Sequence, residues 1–128
     1  MKRTLVLGFS FIEVIITLVI IAILSAIAYP SYQQYVLETR RSDAYVALTV
    51  AAAEQERLYT LNHSYVNDID QLGDGQSPEG FYDISVVAED GGYTLTAEPV
   101  SGGVQAQDTD CLSITLDHLG NKLPPECW

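Results

Sequence analysis

Between Gly8 and Pro30 the chain reads GFSFIEVIITLVIIAILSAIAYP. From Phe9 onward about 20 residues are apolar or small, enough to cross a bilayer core of ~30 Å as a helix rising ~1.5 Å per residue. A single charge interrupts the run, Glu13. A carboxylate inside an apolar span costs about 2.5–3.5 kcal/mol on insertion scales, so it is rare and usually has a partner. Lys2 and Arg3 are the only charges ahead of the run, and both are positive. The positive-inside rule then places Met1 in the cytoplasm and the residues beyond the span outside.

Three readings of this segment compete. It is a plain one-pass anchor, or a conventional secretory signal cut after Ala26-Ile27-Ala28, or a retained span in which Glu13 has a use. The second would release a soluble acidic periplasmic binding domain. A signal destined for removal has no evident use for Glu13. Nor does the pattern stop at Ala28, since helical periodicity runs on past Pro30 for about thirty residues.

Gly8-Phe9-Ser10-Phe11-Ile12-Glu13-Val14, behind a short basic leader and ahead of an apolar run, resembles the type IV prepilin signature. Phe11 stands where that family more often carries Leu, and Pro30 matches the proline common just past its membrane segment. The resemblance implies that a prepilin peptidase cuts between Gly8 and Phe9 and methylates the new amine of Phe9. It implies that the subunit waits in membrane lipid for the inner-membrane pilus assembly machinery, and that its partners are other pilin subunits through the N-terminal helix. Glu13 would pair with the N-terminal amine of a neighbouring subunit. No cofactor is implied. Loss of Lys2 and Arg3 takes the formal net charge from −11 to −13.

After Pro30, Ala44, Ala47, Leu48, Ala51, Ala52 and Leu58 recur at spacings of three and four, a helical stripe closed by Asn62 as a C-cap. Pro30 should kink or locally break the helix. Tyr29, Tyr32 and Tyr35 at the exit from the apolar run read as an interfacial aromatic belt, or as a specific subunit contact. Arg40, Arg41 and Arg57 read as a solvated face paired locally with Glu38, Asp43 and Glu54, or as a docking face for a neighbouring acidic head.

Asn62 to Gly80 reads as an irregular loop with a short turn around Asp68–Leu72. Tyr82–Ala88 and Tyr93–Ala97 alternate and flank Glu89-Asp90-Gly91-Gly92, a hairpin. Val100–Asp110 reads as a loop, and Cys111–Leu116 as a third strand ended by a turn through Gly120-Asn121. The expected fold class is α+β, with the long N-terminal helix packed against a small antiparallel β-sheet head, as in the type IV pilin fold. The segments are a leader at 1–8, a transmembrane half at 9–29, an amphipathic half at 30–61 and a globular β head at 62–128.

Cys111 and Cys127 are the only cysteines. The expected topology puts both in an oxidising compartment, where the pair reads as a disulfide. Such a C-terminal bridge also resembles pilins, and the layout is most similar to the minor pilins of the PilE type. Asp68/Asp70/Asp74, or Asp108/Asp110 near Asp117, could gather oxygen ligands for calcium, but neither has EF-hand spacing and surface solvation is the better reading. Trp128 should pack beside the disulfide, and His63 and His118 should lie in surface loops.

A net charge of −11 and a pI near 4.2 argue against affinity for nucleic acid based on counterion release, so no direct nucleic-acid binding is expected. At 48% hydrophobic, the chain is too apolar for an acidic disordered segment. No nucleophile–base set, phosphate loop or metal-ligand motif is present in the sequence, so no enzyme activity is expected. The expected function is a structural subunit, a minor pilin of a bacterial type IV pilus, supporting pilus biogenesis, twitching motility, adhesion or DNA uptake. Its place would be the inner membrane before assembly, N-terminus cytoplasmic and head periplasmic, and the extracellular pilus afterwards. A type II secretion pseudopilin is the rival within the same superfamily.

Overall fold

The computed structural model describes residues 8–128. The expected leader, Gly8 excepted, lies outside the described residues. Helix α1 spans Phe11–Asn62 and belongs to two compact units, one ending at Gln34 and the other formed by Tyr35–Trp128.

In the first unit, α1 presents apolar side chains on every side, and none of its most apolar 18-residue window is buried. Pro30 lies within α1, and the helix runs through it without the expected break. Proline removes one backbone donor and crowds the preceding turn, but its fixed φ remains helical, so the helix can continue past it. At the far end, Asn62 stands at the C-cap, the residue before the left-handed one that ends the helix. His63 turns the chain with φ of 55°, its N–H donating to the Tyr59 carbonyl at 2.8 Å.

In the second unit a four-stranded antiparallel meander packs on α1. Its strands are β1 (Tyr82–Glu89), β2 (Gly92–Pro99), β3 (Ile114–Asp117) and β4 (Lys122–Leu123), in that order. β1 and β2 pair from Tyr82↔Pro99 to Glu89↔Gly92. The two turn residues, Asp90 and Gly91, both have positive φ, the type I′ geometry whose twist suits a hairpin. The pleat sends Tyr82, Ile84, Leu95, Ala97, Ile114 and Leu116 inward onto Ala44, Leu48 and Ala51 of α1. Two of those three helix residues are alanines, which let the sheet approach the helix closely.

Three expectations need correction. The third strand begins at Ile114, not Cys111. Cys111 closes a turn, its N–H donating to the Asp108 carbonyl at 3.0 Å, and its sulfur is bonded to Cys127, so it is held out of the ladder. Residues Val104–Gln107, read as loop, form a short 3₁₀ turn. β4 was not foreseen. The Asp117 carboxylate accepts from the N–H groups of Leu119 (2.9 Å) and Asn121 (2.8 Å), closing a turn that lays Lys122 and Leu123 beside Leu116 and Thr115. A two-residue strand is too short to show alternation.

Candidate functional site

Near its start, α1 gathers the residues expected to anchor and assemble the chain. Ser10 occupies the N-cap position, its carbonyl accepting from the N–H groups of Glu13 (3.0 Å) and Val14 (3.2 Å). The Glu13 carboxylate reaches back to the Ser10 N–H at 3.5 Å. Ser10-x-x-Glu13 has the spacing of a capping box, a signal the sequence reading passed over. Phe9, Glu13, Val14, Thr17 and Leu18 line a shallow, mostly apolar recess of about 260 Å³. Glu13 is the only charge between Phe9 and Leu37. Gly8 and Phe9 are both exposed at the start of the described chain, Phe9 at 85%. An apolar helix surface this extensive marks a membrane or protein contact.

In the head, the side chains of one helix stripe hold the two long loops. Arg41 donates Nε to one Asp108 oxygen at 2.7 Å and a terminal nitrogen to the other at 2.9 Å. Its remaining nitrogen reaches the Glu126 carbonyl at 3.4 Å. Gln105 donates to the Leu37 carbonyl at 2.9 Å, and Tyr45 donates to the carbonyl of Cys127. Tyr45 also stacks on Trp128, ring centroids 4.9 Å apart, and the Lys122 ammonium lies 4.6 Å from the Trp128 ring centroid. The Cys111–Cys127 disulfide, Cα atoms 5.7 Å apart, closes the same corner. The hydrogen-bonded Asp108 carboxylate holds the Arg41 pKa above its ordinary value. Burial, the leading cause, pushes the Tyr82 phenol up to about 12, with the adjacent Gln105 side chain acting the other way.

The other long loop is tied further along α1. Asp43 accepts from the N–H groups of Glu79 (2.9 Å) and Phe81 (3.3 Å). Gln55 brackets Val66, accepting from its N–H at 3.0 Å and donating to its carbonyl at 2.6 Å. Beyond it, Tyr59 stacks on Tyr65, and Tyr65 and Tyr93 both donate to Glu56. Burial again leads in raising the Tyr93 phenol to about 12.

Local pairing of the arginines therefore holds for Arg57, which grips Glu54, and fails for Arg41. Asp108, one of the acids considered for calcium, is committed to Arg41. Arg41 and Gln55 could have been found. Arg41 precedes Ala44 by three and Gln55 follows Ala51 by four, so both sit in phase with the apolar stripe, where a polar residue is buried and needs a partner.

A model of the prokaryotic N-terminal methylation motif matches residues 5–29. A second family model, described as type IV minor pilin ComP, DNA uptake sequence receptor, matches residues 30–115. The chain belongs to the type IV pilin family. Among relatives of this pilin, the type IV major pilin protein PilE1 of Neisseria gonorrhoeae is 32% identical over 82% of the chain and 49% of its own length. The fimbrial protein EcpC of Eikenella corrodens is 31% identical over 78% and 69%. This pilin thus spans about half the length of the first of these relatives. A type IV pilin structure from Shewanella oneidensis superposes with a TM-score of 0.55 at 28% identity, covering 72% of this chain and 97% of that one. The long helix on a four-stranded sheet is thus a type IV pilin fold. The methylation motif and the apolar helix that follows it fit membrane anchoring.

Proposed function

We propose that this pilin is a minor subunit, processed between Gly8 and Phe9 by a prepilin peptidase, methylated at Phe9 and passed from the inner membrane to the filament by the pilus assembly machinery. The observation that supports this reading is the uncovered apolar face of α1 with its single carboxylate. In lipid that face is solvated by acyl chains; in a filament it is covered by neighbouring helices. Cleavage supplies an α-amine four residues before Glu13, and a neighbour's amine would neutralise the carboxylate once both are withdrawn from water. Pro30 marks the passage from the half at 9–29 to the half at 30–61, the leader being 1–8 and the head 62–128. The work of the protein is partition and assembly, with no chemistry of its own. Mass spectrometry of sheared filaments tests the reading. The expected chain starts at methylated Phe9 and carries the Cys111–Cys127 bridge. A start at Tyr29 would replace it with a released periplasmic domain.

The description of the matched family as a DNA uptake sequence receptor favours a second reading, in which the head itself receives DNA. It runs against the expectation of no direct nucleic-acid contact. Residues 62–128 carry Lys122 as their only Lys or Arg, which disfavours phosphate contacts as the source of affinity. Gel-shift titration of the detergent-solubilised pilin with duplex DNA at low salt separates the two. Retarded DNA whose retention falls steeply with salt would establish the receptor.

A further inference from the structure

We propose that the groove between α1 and residues 69–80 docks a different pilin presenting an apolar side chain flanked by Lys or Arg, and excludes a second copy of this chain. The proposal rests on the pilin reading above.

The groove encloses about 560 Å³. Val50, Ala51, Leu72 and Ile84 form its apolar floor, and Val50 is left 59% exposed. Asp74 and Glu79 stand on its rim, and no Lys, Arg or His is among its lining residues. A partner bringing Lys or Arg would pair with Asp74 and Glu79 while its apolar side chain covered the floor. The Asp43 bonds to Glu79 and Phe81 hold one wall of the groove against α1, so the site is formed before a partner arrives.

A second copy does not fit this chemistry. After Gly8 the chain has four cations, and each has an intramolecular partner. Arg41 is buried on Asp108, and Arg57 grips Glu54. Arg40 lies 4.9 Å over the Phe81 ring, and Lys122 lies over Trp128. A copy would instead bring more carboxylates to a carboxylate rim, and like-charge juxtaposition rejects a partner more strongly than attraction selects one.

The test places a photo-reactive benzoylphenylalanine at position 50 of the full chain in piliated cells, followed by shearing and mass spectrometry of the adducts. The expected adduct is with another pilin at a site bordered by Lys or Arg. Asp74→Lys with Glu79→Lys should cut its yield roughly fivefold or more, as two exposed attractions become repulsions. Self-adducts, adducts with non-pilins, or no adduct from a chain present in the filaments overturn the proposal alone. A chain absent from sheared filaments while intact in the membrane overturns the pilin reading as well.

Discussion

Arg41 on α1 and Asp108, separated by 67 residues in the chain, form a two-point ion pair inside the head, with bonds of 2.7 and 2.9 Å. Both side chains are almost fully buried, Arg41 at 9% exposure and Asp108 at 2%. The pair fixes the 3₁₀ turn at Val104–Gln107 on the helix, and through it the start of the disulfide loop. Removing one partner leaves the other charge buried and alone.

Arg41→Ala should therefore destabilise the head by ~3–5 kcal/mol, read from denaturant unfolding of the detergent-solubilised chain. Arg41→Met with Asp108→Leu, which removes both charges and keeps most of the volume, should recover the greater part of the loss. Equal losses in the single and double variants would show that the packing of the two side chains matters and their charge does not.

Alkaline pH should unfold the head through its buried tyrosines. Tyr82 and Tyr93 have phenols raised from 10.0 to about 12 in the folded state, so folding favours the neutral form. The stability they contribute is complete below pH 10 and is lost as the pH rises from there to about 12. Unfolding midpoints should stay level below that window and fall within it, together with a rise in phenolate absorbance. Tyr82→Phe should make the fall shallower. An unchanged slope would remove Tyr82 as a source of the pH dependence.

Cys111→Ser should lower the melting temperature. A bridge spanning a sequence separation of 16 is worth about 3 kcal/mol in the chain-entropy treatment. Its loss also frees the segment that carries the Glu126 and Cys127 carbonyls, the acceptors for Arg41 and Tyr45. Coincident melts of the oxidised and reduced chain would assign the stability of this corner to Arg41 and Tyr45 without the bridge.

Glu13→Ala should leave membrane insertion and cleavage largely intact and reduce incorporation into filaments. The substitution makes the span more apolar, which favours the bilayer. On the proposed pairing it would leave a neighbour's Phe9 amine without a partner in an apolar setting, which disfavours the filament. Glu13→Gln separates charge from shape. The readout is the ratio of this chain to total pilin in sheared filaments. Wild-type ratios for both variants would mean that Glu13 serves helix capping at Ser10 and not assembly.

Most of the scaffold is visible in the chain because its signals are local. An apolar run interrupted once, a stripe at spacings of three and four, and alternation on either side of Asp90-Gly91 each depend on neighbours a few residues apart. The third strand was misjudged at Cys111 for the opposite reason. Leu112 and Ile114 fit alternation, but the disulfide and the turn at Asp108 are constraints from elsewhere in the fold.

The sequence by itself determined that α1 would be apolar on every side near its start, with Glu13 alone in it, and that a small sheet would cover the second stretch. These follow from composition and period. Only the tertiary structure decided what the polar residues of α1 do. Arg41 and Arg57 are the same residue type on the same helix, yet one is buried on Asp108 and the other lies on the surface beside Glu54. Arg41 falls in phase with the buried stripe, and the strands deliver the loop holding Asp108 to that point. The cost of burying an arginine is offset only when a distant carboxylate arrives with matching geometry, and no local pattern records that arrival.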